Sequence, residues 1–232
     1  MIEAVGVVVP ANDEEQLIGP CIAALEQARA HVAQRVETYL VVVLDACVDG
    51  TRTAAERALR GPHCVLSAAF ANVGKARAYG AAQVLRHFAQ RDASCVWLAT
   101  TDADSRVEPH WLADHLEVAN AGAHGLAGAI DIDDWHGYTS KQIAAFRAFY
   151  AAHSASPVHG SNLGVRADAY LEAGGFAGEA TGEDHALWNA LRDCGKRLVS
   201  GRGVVVKTSS RWRGRAPGGF AGFLADHRRR VP

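Results

Sequence analysis

The chain has 232 residues, 49% hydrophobic and 21% charged, which suits one large α/β domain with a proper core. A formal net charge of −1 argues against a general nucleic-acid binder, although His227-Arg228-Arg229-Arg230 is locally basic. No apolar run reaches the length of a membrane-spanning helix, and the start of the chain lacks the basic-then-apolar pattern of a signal peptide, so neither is expected. The cysteines (Cys21, Cys47, Cys64, Cys95 and Cys194) show no C-x-x-C spacing, which fits free thiols in a reducing, cytoplasmic setting. The histidines are dispersed, with no pair at metal-site spacing.

Valine-rich runs alternate with helical patterns along the first half. Val5 to Val9 reads as the first strand, Tyr39 to Leu44 as the second, Cys64 to Leu66 as a weak third and Ser94 to Thr100 as a fourth. Helical stretches fall at 15–36, 51–59, 74–89 and 109–121. Pro10 is expected to stop the first strand, because it has no N–H to give the ladder. Pro109 suits the first turn of its helix, and Pro20 a helix start or a kink. Nearly continuous apolar strands between helices indicate a mostly parallel sheet covered on both faces. After residue 122 the alternation loosens. Strands are expected at Gly125 to Ile132, Asn162 to Val165 and Val204 to Thr208, and helices at 142–152 and 183–194. Phe220 to Leu224 could form a short amphipathic helix. Neither a repeat nor a long linker appears, so one domain spanning 1–232 is the economical reading, with a nucleotide half at 1–121 and an acceptor half at 122–232.

Acids cluster where strands end. Asp45 closes the second strand, and Asp102 and Asp104 follow the fourth, one residue apart. Bare carboxylates at the carboxyl edge of a buried sheet need water, a metal or a donor, and open α/β sheets keep their ligand crevice there. Two acids at i and i+2 point the same way from a strand and suit a hard cation such as Mg²⁺ or Mn²⁺. A solvated, capped turn is the plain alternative. Asp49 with Gly50 reads as a turn, and Thr51 as the start of the next helix. Asn72-Val73-Gly74-Lys75-Ala76-Arg77 opens a helix with basic residues set against its dipole, which suggests an anionic partner or a bridge to the carboxylates. No Walker A loop and no G-x-G-x-x-G motif is present. In Gly182-Glu183-Asp184-His185, Asp184 lies three residues before Leu187 and falls on the inward stripe. It reads as a general base or a buried cap, while Glu183 points elsewhere. Trp135 and Tyr138 offer sugar-stacking surfaces or a packed loop. Arg211 and Arg213 flank Trp212 in a patch suited to phosphate.

Taken in order, the segments 8–15, 43–51, 72–76, 102–104, 160–166, 174–176 and 182–184 resemble the inverting, nucleotide-sugar-dependent glycosyltransferases of the GT-A fold, family 2. The resemblance implies that Pro10, Glu14 and Asp45 hold the nucleoside, and that Lys75 stands beside the nucleotide. Asp102 would lie near ribose or metal, and Asp104 would bind Mn²⁺ or Mg²⁺ directly. Asn162 falls in the acceptor-side motif, and Trp135 and Glu183 are further candidates for the acceptor side. Asp184 would be the catalytic base, and Arg211 and Arg213 would close on the diphosphate. The implied donor is a nucleotide-diphosphate sugar, a UDP-sugar in the first place. The acceptor is a hydroxyl on a small molecule, a lipid-linked carrier or a glycan, with the protein cytoplasmic or peripheral at a membrane. Three positions depart from the family pattern: Asp13 replaces Asn, Leu44 replaces the first acid of an Asp-Asp pair, and Cys47 replaces Ser. A sugar-phosphate nucleotidyltransferase and a non-catalytic nucleotide-sugar-binding protein remain as alternatives.

Overall fold

The computed structural model describes residues 1–132, 134–153, 158–178, 181–211, 224–225 and 229. One eight-stranded sheet runs through both halves of the chain in the order β3-β2-β1-β4-β7-β6-β8-β5. Its strands are β1 (Ala4–Ala11), β2 (Glu37–Asp45), β3 (His63–Ala68), β4 (Val96–Thr100), β5 (Ser105–Val107), β6 (Gly125–Asp131), β7 (Leu163–Arg166) and β8 (Leu198–Thr208). The first four are mutually parallel, as is the β6–β8 pair, whereas β7 runs antiparallel to both β4 and β6, and β5 antiparallel to β8. The parallel strands therefore open their carboxyl ends onto a single edge.

Helices cover both faces, as the apolar strands require. The helices are α1 (Ile18–Val32), α2 (Thr51–Ala58), α3 (Val73–His87), α4 (Trp111–Asn120), α5 (Ser140–His153), α6 (Ala167–Glu172) and α7 (Glu183–Asp193). Because strand side chains alternate, Val5, Val7 and Val9 of β1 pack with Ile22 and Leu25 of α1 and Leu112 and Leu116 of α4. Val8 on the opposite side packs with Ala81 and Val84 of α3 and Leu187 and Leu191 of α7. Each such fully buried aliphatic side chain contributes roughly 1.5–3 kcal/mol of transfer free energy. The approach of α3 is close: Val84 occupies the space that a Cβ on Gly6 would need.

Several element boundaries differ from expectation. β1 runs on through Pro10, which pairs with Val43 of β2. The ladder with β4 has already ended at Val8–Thr100, so the missing N–H falls beyond it. α1 begins at Ile18 because residues 12–15 are tied to the loop after β2. Thr51 Oγ1 accepts from Glu14 N–H at 2.7 Å, and Asp13 Oδ1 accepts from Val48 N–H at 2.7 Å. β5 and α6 were too short for any periodicity to show. The expected helix at 220–224 falls mostly outside the described residues. No helix among the described residues is long and apolar enough to cross a membrane.

His115 sits at the centre of the α4 face, fully buried, with its Nδ1 accepting from Trp97 Nε1 at 3.0 Å. Burial pushes its pKa down from 6.5 to about 3. As pH falls through this window the unfolded chain takes up a proton that the folded chain refuses. Stability should then drop by up to about 1.4 kcal/mol per pH unit. Denaturant titrations from pH 7 to pH 5 should show this slope in the wild type, with a shallower one in His115→Gln.

Candidate active site

Loops after β1, β2, β3 and β4 converge on the carboxyl edge of the sheet. Three of them contain a non-glycine residue in the left-handed region, Asp13 (φ 50°), Ala46 (φ 54°) and Ala71 (φ 46°). Such backbone costs about 1–2 kcal/mol per residue and persists only where surrounding contacts enforce it. Here the enforcing groups are visible. Asp45 is buried and its carboxylate accepts from the N–H groups of Phe70, Ala71 and Asn72 at 2.6, 3.0 and 2.9 Å. This side chain, expected to face the nucleoside, instead fixes the turn into α3. Asn72 continues the construction by capping α3 through Lys75 N–H at 2.9 Å. Lys75 itself is exposed in the first turn, its stem lying over Gly178.

Two arginines meet four carboxylates beside this turn. Arg77 of α3 is buried and pairs with Asp102 after β4 and with Glu183 at the start of α7. Arg211, just past β8, pairs with Glu14 Oε1 at 2.6 Å and with Asp104 Oδ2 at 2.8 Å. Four acids against two guanidiniums leave an excess of two negative charges. The excess is felt at Asp104: burial, then repulsion from Asp102 and Glu14, raise its pKa to about 6, although Arg211 opposes the shift. Burial also pushes the Glu183 carboxyl upward, against the pull of Arg77. Beneath the cluster, Cys21 is kept as a neutral thiol by burial and by the same acids, and its Sγ donates to Asp102 O at 3.3 Å.

Asp184 is linked to Arg77 through Gly160, whose turn packs on the guanidinium. Its Oδ2 accepts from Gly160 N–H at 2.8 Å and its Oδ1 from His185 N–H at 2.7 Å. The expected division of labour at this helix start is reversed. Glu183 is the buried residue, four and eight positions before the buried Leu187 and Leu191, and Asp184 is only half-buried. Glu183 is thus taken up by Arg77 rather than presented to an acceptor, while Asp184 keeps access to solvent. His159 neighbours Asp184, and its Nε2 lies 3.0 Å from Tyr150 Oη; burial lowers its pKa while Asp184 acts to raise it.

The acceptor-side expectations fare differently. Asn162 is fully buried: its Nδ2 donates to Ala129 O and Val204 O at 2.7 and 3.0 Å, and its Oδ1 accepts from Trp111 Nε1 at 3.0 Å. It joins α4, β6 and β8 rather than facing an acceptor. Trp135 is half-buried and packs edge-on to Tyr138 and Phe146 at ring separations of 5.3 and 5.1 Å. Tyr150 stacks on Phe146 at 5.7 Å, so these rings form a small satellite core. Arg213 lies outside the described residues. Arg77, expected either to face an anionic partner or to bridge to the carboxylates, forms the bridge, and does so from a buried rather than a surface position. The signal was there: it shares the buried stripe of α3 with Gly80, Ala81 and Val84, where an arginine requires acidic partners.

Residues 6–169 match the family model described as glycosyl transferase family 2. The chain belongs to that family. No curated protein matches it significantly. Among solved structures, the family-2 chain superposes on the mannosyltransferase PcManGT from Pyrobaculum calidifontis, crystallised with GDP-Man and Mn²⁺. The TM-score is 0.63 at 18% identity, covering 98% of this chain and 61% of that one. TarS 1–349 from S. aureus gives 0.60 at 15% identity, over 89% and 60%. Glucosyl-3-phosphoglycerate synthase from Mycobacterium tuberculosis, in complex with Mn²⁺, UDP and phosphoglyceric acid, gives 0.55 at 15% identity, over 99% and 80%. At these identities the likeness is one of fold, and the fold is GT-A. The family-2 chain spans about 60% of the length of TarS 1–349 and of PcManGT.

Asn162→Ala should remove three buried hydrogen bonds and destabilise the protein by roughly 2–4 kcal/mol in denaturant unfolding. A changed acceptor KM with unchanged stability would instead return this residue to the acceptor side.

Proposed function

We propose that this family-2 chain transfers a sugar, with inversion, from a nucleotide-diphosphate sugar to an acceptor hydroxyl, with a divalent cation held at Asp104 and, less directly, at Asp102. The observation that carries the reading is an acid cluster with uncompensated charge that Arg77 joins, through Glu183, to the start of the helix bearing Asp184. The acid cluster suits a hard cation in its ligand chemistry and its excess of negative charge. No three His, Cys, Asp or Glu side chains among the described residues form a metal-holding group, so donor phosphate oxygens and water would complete the shell. Such a cation, Mn²⁺ or Mg²⁺, would neutralise charge on the departing diphosphate.

The chain's own residues supply the remaining roles. Asp184 accepts the proton of the acceptor hydroxyl as its oxygen attacks the anomeric carbon. The bond from that carbon to the diphosphate oxygen breaks, and the nucleoside diphosphate leaves with the electron pair. The N–H groups of Gly160 and His185 fix the Asp184 carboxylate, and each of its oxygens keeps a lone pair for the incoming proton. Arg211 moves from Glu14 and Asp104 to the diphosphate when donor and cation bind, and Arg213 keeps the diphosphate role that the family resemblance gives it. Pro10, Glu14 and the Asp45-held turn border the nucleoside, with Lys75 at the rim. Residues 1–121 form the nucleotide-binding half and 122–232 carry the acceptor side and the base, with Arg211 reaching back to the diphosphate, within one domain. UDP-sugars are the first donors to test. The free cysteines fit a cytoplasmic setting.

Asp184→Asn should lower kcat by at least about 10²–10⁴-fold while leaving nucleotide-sugar affinity nearly unchanged, as read by single-turnover kinetics and calorimetry. Near-normal turnover in that variant would sink the assignment. Asp104→Ala should lose the Mn²⁺-dependent part of nucleotide binding in calorimetry with and without the metal. The released product should be a nucleoside diphosphate; release of pyrophosphate would identify a nucleotidyltransferase instead.

A further inference from the structure

We propose that Arg77 is a positioning residue for this reaction: it ties the donor-side carboxylate Asp102 to the base-bearing helix α7 and to the Gly160 turn, and so sets where Asp184 stands. The inference rests on reading Asp184 as the base. Three contacts radiate from one buried guanidinium. One Nη group meets Asp102, the other meets Glu183, and Gly160 lies flat against the planar face. A Cβ built on Gly160 would come within 2.6 Å of Arg77 Cζ, so only glycine lets the turn settle there. That same Gly160 donates its N–H to Asp184 Oδ2 at 2.8 Å and accepts from Thr100 Oγ1 at 2.6 Å. The turn that holds the base is thus clamped between the end of β4 and the guanidinium.

The chemistry of arginine suits this task. A rigid fork can bridge two acids on different elements in fixed directions, which a single ammonium cannot do. Asp102 lies 25 residues from Arg77 in sequence and Glu183 lies 106 away, so the bridge joins the two halves of the chain. Burial works against the charge on Arg77, but Asp102, Glu183 and Asp184 outweigh it and keep the guanidinium firmly protonated. Its Nε has no hydrogen-bond partner among the described residues, so the side chain is oriented by the acids alone. A displacement of the base by about 1 Å is enough to lower a rate by roughly 100-fold.

The test separates positioning from mere support of the fold. Arg77→Met alone would strand the buried Glu183 carboxylate, so the informative protein is Arg77→Met with Glu183→Leu, which replaces the buried pair by apolar groups and leaves the partly exposed Asp102 to water. Hydrogen exchange resolved at the Gly160 amide reports the bond to Asp184 without reference to activity. The double variant should melt near the wild-type temperature yet exchange Gly160 at least about tenfold faster. Its kcat should fall by roughly 100-fold, with the donor KM changed by less than about threefold. Wild-type protection of Gly160 together with wild-type kcat in the folded double variant would overturn the proposal. Should the double variant fail to fold, Arg77→Lys takes its place: unchanged Gly160 exchange and kcat there would equally overturn it, and faster exchange with lower kcat would support it. Absence of transfer by the wild-type protein would count against the catalytic reading, while Gly160 exchange would still decide whether Arg77 holds Asp184.

Discussion

Carboxylates gathered at the edge of a buried sheet must be met by cations, and this molecule meets them with two shared guanidiniums. Arg77 and Arg211 each bridge two acids from different parts of the chain. A buried acid left alone would be strongly destabilising, and a buried pair recovers its desolvation only with close, well-directed contacts. The position of α3 against the sheet, the start of α7 and the segment after β8 all follow from this requirement. The charge is still not balanced. In the proposed reading, the remaining negative potential around Asp104 favours a divalent cation, and the cation in turn would hold the diphosphate.

The two arginines differ in what surrounds them. Arg77 is enclosed, with both ends engaged and a glycine turn packed on its face. Arg211 is partly open and comes from the end of the described C-terminal strand region. A buried bridge of the first kind defines fixed geometry, whereas a partly solvated one can exchange partners at small cost. In the proposed mechanism this contrast would keep Asp184 in place while leaving Arg211 able to change partners. The loops that carry the acids are held in strained backbone by carboxylate-to-amide bonds, so the edge is rigid before any ligand arrives.

Much of this was readable from residue order. Long apolar strands with helices between them announced a two-faced, mostly parallel sheet, and β1, β2 and β4 are where valine runs placed them. The acids at strand ends do gather on one edge, at the carboxyl ends of the parallel strands. What periodicity could not carry was which acid serves a ligand and which serves the backbone. Asp45 and Asn162 have the right chemistry for a site, but their partners are amides, carbonyls and an indole supplied by distant segments. Two of the three departures from the family pattern are explained in the same way: Asp13 accepts from Val48 and Asp49 N–H, and Cys47 contacts Ala11 O and Asp13 N–H, all within the paired loops. At α7 the helical phase was judged from a three-residue step to Leu187, whereas the four-residue step from Glu183 is the one that faces the core.

In the proposed reading the Asp102–Asp104 edge is a cation and diphosphate site, with Asp104 as the direct ligand. Anomalous diffraction from crystals grown with UDP and Mn²⁺ should then show a manganese peak touching the Asp104 carboxylate and the diphosphate, with Arg211 withdrawn from Asp104. A manganese peak elsewhere, or UDP bound with Arg211 still seated between Glu14 and Asp104, would contradict it.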